Sequence, residues 1–158
     1  MKLPKDYIIT EIIPTHSNAN VGFIAQIQAL KIKDDKIIDR LDLRVDEKLI
    51  ENQDLLNMIS YDKEMFTYTN NKENIINEFV KFIGKDKLLI IDNYYTIDYL
   101  KSIKNKKESV FKYLDLDLTD DVFDKLINKY QLEPSNHLVD LLYEAIIFEK
   151  NNLENKVK

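Results

Sequence analysis

The side chains able to do chemistry at neutral pH are few and fall in five places. The chain has no cysteine, which excludes thiolate nucleophiles, thiolate zinc sites and disulfides. Two histidines remain. His16 opens the segment His16-Ser17-Asn18-Ala19-Asn20, whose imidazole, hydroxyl and amides can reach phosphate or sugar, although a solvated loop has the same composition. Asn93-Tyr94-Tyr95 offers an amide and two rings on which bases can stack; rings that follow a buried strand also simply pack beneath a helix. Asp98 can ligate a cation or merely favour the positive end of a helix. The basic run from Lys101 to Lys107, with Lys104 and Lys106, can touch backbone phosphates or form a solvated face. His137 stands beside Ser135 at a helix start, with Asp140 and Glu144 on the same helix. Imidazole and carboxylates are the residue types of a general base beside a divalent metal, and helical geometry brings Glu144 closer to the face of His137.

Positioning these groups falls to a recognisable order of elements. Tyr7 to Ile13 is an apolar, β-branched run closed by Pro14, which predicts a strand and then a loop. Val21 to Lys33 and Lys36 to Val45 are two further strand-like runs separated by Asp34-Asp35, the pattern of a hairpin. Residues 46–71 show scattered apolar positions without a sustained period and predict short turns and loop. Ile75, Ile76, Phe79, Val80, Phe82 and Ile83 form a helical stripe that Gly84 closes. Leu88 to Ile91 predicts a buried strand, and a helix starts near Thr96. The alternation Leu114-Asp115-Leu116-Asp117-Leu118 predicts a fifth strand, and helices follow Thr119 and Ser135. The expected fold class is α/β, a central mixed five-stranded sheet with its first three strands antiparallel and helices on its faces.

Composition bounds the rest. With 158 residues, 44% of them hydrophobic, the chain is expected to form one domain over residues 1–150, followed by a polar, frayed tail over 151–158. A formal net charge of −5 argues against an obvious electrostatic nucleic-acid surface. The N-terminal segment Met1 to Asp6 lacks a secretory apolar core and no apolar run reaches membrane-spanning length, so a soluble, cytoplasmic protein without membrane contact is expected. The bias toward Asn, Ile and Lys is one associated with AT-rich bacterial or phage coding.

Several local phrases resemble the proofreading 3′–5′ exonucleases, the DEDDh group that includes the epsilon subunit of bacterial DNA polymerase III. Ile24 to Ile32 followed by Asp34 to Arg40 is similar to that family's second and third strands. Asn57 to Met65 resembles the segment before its first large helix, and Asn74 to Gly84 resembles the helix itself. The resemblance implies an RNase H-like exonuclease fold. It also implies four carboxylates holding two divalent metals, with a histidine as general base. On it, the paired acids of the first strand fall on Thr10 and Ile12, and the last helix keeps its histidine as His137 but carries Leu142 where an acid belongs. Asn93 matches, Asp92 replaces a histidine, and Asp98 takes the next acid position only with a one-residue shift.

The catalytic remnants on this reading are His137 and Asp98, with Thr10, Ile12 and Leu142 at lost carboxylate positions. The leading expectation is a catalytically impaired exonuclease-like domain that retains nucleic-acid or protein binding, with His16, Asn18, Asn93, Lys104 and Lys106 as nucleic-acid contacts. Its partners would be a single-stranded 3′ end or a replication or repair protein, and no cofactor is expected. The alternative is an active nuclease with a rearranged set drawn from Glu11, Asp92, Asp98, Asp140, Glu144 and His137. That site would bind Mg²⁺ or Mn²⁺, with Asp98 and Glu144 as ligands. A structural or regulatory protein-interaction module is the third.

Overall fold

The computed structural model describes residues 3–55, 72–90, 96–104, 120–132 and 138–157. It is a mixed α/β structure. Strands β1 (Asp6–Pro14), β2 (Ile24–Lys33) and β3 (Lys36–Arg44) are followed by a 3-10 turn (Glu47–Leu49). Then come helix α1 (Lys72–Ile83), strand β4 (Lys87–Leu89) and helices α2 (Thr96–Lys104), α3 (Asp120–Lys129) and α4 (Leu138–Val157). The described strands form one sheet in the order β3-β2-β1-β4, antiparallel except that β4 runs parallel to β1.

The hairpin turns where the sequence places it. Asp34 and Asp35 both adopt positive φ, 49° and 65°, so the two-residue loop has the twist that suits flanking right-handed strands. Aspartate tolerates that conformation less well than glycine does, and the long C-terminal helix reinforces it. The Tyr143 hydroxyl donates to the Asp35 carbonyl at 2.6 Å, and Lys150 Nζ reaches both Asp35 carboxylate oxygens at 2.8 Å. α4 runs unbroken to Val157, so the segment expected to be a frayed tail continues the helix.

One layer covers each sheet face. Ile75, Phe79 and Ile83, spaced by four, present a fully buried stripe of α1 to Ile8, Ile12, Ile27, Ala29 and Leu88. Each such side chain contributes about 1.5–3 kcal/mol through burial. Gly84, at φ 54°, ends the helix where an L side chain would be strained. On the opposite face Tyr7, Ile9, Leu30, Ile32 and Leu89 pack against Val139, Leu141, Leu142 and Ile146 of α4. α3 closes with Gln131 in the left-handed region and Leu132 N–H bonded back to the Ile127 carbonyl at 3.0 Å, which brings Ile127 and Leu132 onto that second core.

Several boundaries differ from the expected ones. β2 begins at Ile24, because residues 21–23 belong to the preceding loop, and β4 is Lys87–Leu89, starting one residue before the expected Leu88 and leaving out Ile90, while Ile91 lies outside the described residues. The expected fifth strand at residues 114–118 and the segment 56–71 lie outside the described residues. Among the described residues no helix is long and apolar enough to cross a membrane.

Candidate functional site

Pairing across the sheet determines which side chains can meet. Glu11 stands opposite Gln28, and Gln28 opposite Asp42, so these three form a polar row across β1, β2 and β3. The flanking row on one side is Ile13, Gln26 and Arg44, and on the other Ile9, Leu30 and Arg40. Ile9 and Leu30 belong to the core under α4, so both polar rows lie on that face, beyond the first turn of the helix.

The acids near this row are held by arginines. Asp42 Oδ1 accepts from Gln26 Nε2 at 2.8 Å, and Arg44, itself buried, donates to Asp42 through its Nε and one terminal nitrogen at 3.3 and 3.0 Å. Asp140, in the first turn of α4, binds Arg40 through both carboxylate oxygens, at 2.6 and 3.0 Å. Hydrogen bonding to Asp140 is the main cause that raises the Arg40 pKa further above its ordinary value. Between these pairs lies a cavity of about 220 Å³ lined by Gln28, Leu30, Arg40, Asp42, Val139 and Asp140, among others.

Glu11 differs from both aspartates. Burial alone pushes its carboxyl from 4.5 up to about 7, and its Oε2 has no hydrogen-bond partner among the described residues. The sequence marks Glu11 only as the single acid in the apolar run Tyr7 to Ile13; its face becomes visible through the pairing with Gln28.

The loop after β1 is built as a closed unit. Thr15 N–H donates to the Phe23 carbonyl at 2.8 Å and Phe23 N–H to Thr15 Oγ1 at 2.9 Å. The Tyr99 hydroxyl of α2 donates to the His16 carbonyl at 2.5 Å. His16 Nδ1 accepts the Asn18 N–H and Asn18 Oδ1 accepts the Asn20 N–H, both at 2.9 Å. Polar atoms of His16 and Asn18 expected to meet nucleic acid are thus used within the loop, although both residues are exposed.

Among the described residues, the positions expected to carry the catalytic acids do not come together. Ile12 lies in the core on the α1 face of β1, and Thr10 shares that face by strand alternation; Leu142 is buried on the α4 face, so the sheet separates these positions. The physical reason is register: the residues of β1 that share the face of α4 include Tyr7, Ile9 and, by strand alternation, Glu11. Asp98 and Glu144 are exposed, on α2 and α4 respectively. Among the described residues no three His, Asp or Glu side chains group closely enough to hold a metal ion. His137, Asp92, Asn93 and Lys106 lie outside the described residues, and the Lys104 side chain is likewise not described.

No protein-family model matches the chain. The chain is 32% identical over 113 residues to the E 2 subunit of the V-type ATP synthase of Clostridium tetani (strain Massachusetts / E88), a match covering 66% of this chain and 50% of that protein. The chain thus spans about half the length of the curated relative it matches. These findings overturn the resemblance to proofreading exonucleases. The phrases that carried it, a strand-turn-strand and an amphipathic helix, are scaffold patterns that many α/β chains share.

Proposed function

We propose that this chain is a non-catalytic binding module whose partners are proteins. One observation carries the reading: the two aspartates beside the cavity are each engaged by an arginine of the same chain, Asp42 by Arg44 and Asp140 by Arg40, so neither carboxylate is left to a metal. A catalytic metal site needs several carboxylate oxygens free to converge on one cation. Glu11, the remaining acid of the row, is biased toward its protonated form by burial, which weakens it as a ligand.

Two further points favour protein over nucleic acid. The net charge of −5 opposes phosphate backbones, and the matched relative bears the name of a subunit of a larger assembly. We also propose an RNase H-like topology for the sheet, supported by the order β3-β2-β1-β4 with three antiparallel strands and a parallel fourth.

Incubation with 5′-labelled single-stranded DNA and RNA in Mg²⁺ and in Mn²⁺ tests the proposal. Intact oligonucleotides, with no binding that weakens steeply as salt rises, are the expected outcome. Stepwise shortening from the 3′ end contradicts the non-catalytic reading, and salt-sensitive binding without cleavage contradicts the choice of partner.

A further inference from the structure

Strand β3 is one edge of the described sheet, and nothing among the described residues pairs with its outer side. Proteins commonly protect such edges with bulges and charges. Here the bulge is at Ile38, the residue left over where Lys31 pairs with Asp39 and Ile32 with Ile37. Beyond it, the strand runs in regular register with β2, leaving a five-residue segment, Asp39-Arg40-Leu41-Asp42-Leu43, able to accept another strand.

Within that segment Arg40-Leu41-Asp42 is self-complementary. We propose that β3 joins β3 of a second copy of this chain, antiparallel and centred on Leu41, to make one continuous sheet across a two-fold axis. In this register Leu41 faces Leu41 of the second copy, and Arg40 and Asp42 each face the other's counterpart, giving two opposite-charge pairs on one sheet face. Adjacent symmetric registers are disfavoured by charge: centring on Arg40 sets arginine against arginine, and centring on Asp42 sets aspartate against aspartate and Arg40 against Arg44. The other face gains as well. Leu41 and Leu43 are half-buried at the rim of the core beneath α1, so the seam extends that core into the second copy.

This inference deepens the binding-module reading and rests on it, with the partner being the chain itself. Sedimentation equilibrium of the full chain should show mass rising toward twice the monomer's 18.7 kDa as concentration increases. Arg40→Asp sets carboxylate against carboxylate and Asp42→Arg sets guanidinium against guanidinium, so each variant alone should weaken dimerisation by about tenfold or more. Mixing the two variants should restore it, because every central pair then joins opposite charges; a role confined to folding would not produce that rescue. Circular dichroism confirms that the variants are folded. Should either fail to fold, hydrogen exchange on the wild type decides: outward-facing amides of Asp39 to Leu43 should gain protection with concentration. A wild type that stays monomeric, a folded mixture that does not associate, or exchange independent of concentration overturns the proposal. A monomer that leaves oligonucleotides intact sinks only the self-pairing, whereas one that shortens them sinks the binding-module reading too.

Discussion

Arg40 on β3 grips Asp140 in the first turn of α4 across 100 positions of sequence, with both carboxylate oxygens engaged. The pair ties the edge of the sheet to the start of the last helix and forms one wall of the cavity. It also places the negative charge at the helix end that favours it.

The strength of that tie is modest because it is wet. With side-chain exposures of 58% and 30%, the pair should show a coupling of about 0.5–1 kcal/mol in a double-mutant cycle of Arg40→Leu and Asp140→Asn, read by urea denaturation. The coupling should shrink at high salt. A salt-independent coupling of several kcal/mol would show that the pair is effectively buried.

Glu11 gives the fold a pH dependence. The folded chain holds the Glu11 proton more tightly than the unfolded chain, with a pKa of about 7 against 4.5. This group therefore costs nothing below the unfolded value. Its penalty grows as pH rises between the two values and is complete above the folded one, reaching on the order of 3 kcal/mol. Glu11→Gln should flatten that decline, so the variant gains over the wild type at about pH 8 relative to about pH 5 in denaturant melts. A stability difference that does not change with pH would show that Glu11 is solvated.

Introducing an acid where the exonuclease resemblance places a lost carboxylate should not create a metal site. Leu142 is 2% exposed within the core under α4, so Leu142→Asp should destabilise by about 3 kcal/mol or more, with no Mn²⁺-dependent recovery of thermal stability. Recovery with Mn²⁺ would place Leu142 beside a working ligand set.

The loop after β1 depends on close packing at Gly22. A Cβ there would lie 2.6 Å from Tyr99 Oη, 2.7 Å from His16 Cβ and 2.8 Å from Thr15 Oγ1. Gly22→Ala should cost about 1–3 kcal/mol and displace the Tyr99 hydroxyl from the His16 carbonyl. Tyr99→Phe should cost about 1 kcal/mol. Unchanged melting of both variants would show that the loop is not tied to α2.

Much of the scaffold was legible because its signals are local. The alternating strands of the hairpin, the paired aspartates of its turn and the spacing of Ile75, Phe79 and Ile83 each lie within a short window. The face of β1 was not legible, because Tyr7, Ile8, Ile9, Thr10 and Ile12 are all buried and a strand enclosed on both sides shows no alternation to read. The exonuclease resemblance put the expected acids on Thr10 and Ile12, whereas the acid facing α4 is Glu11. The Arg40–Asp140 pair and the bulge at Ile38 depend on tertiary pairing and leave no local trace.

Calorimetric titration of Mn²⁺ into the folded chain near neutral pH tests the central claim most directly. The arginine-bound state of Asp42 and Asp140 predicts no saturable heat up to low-millimolar metal. A saturable isotherm that Glu11→Gln abolishes would contradict it and show that the acids of this sheet face converge on a cation.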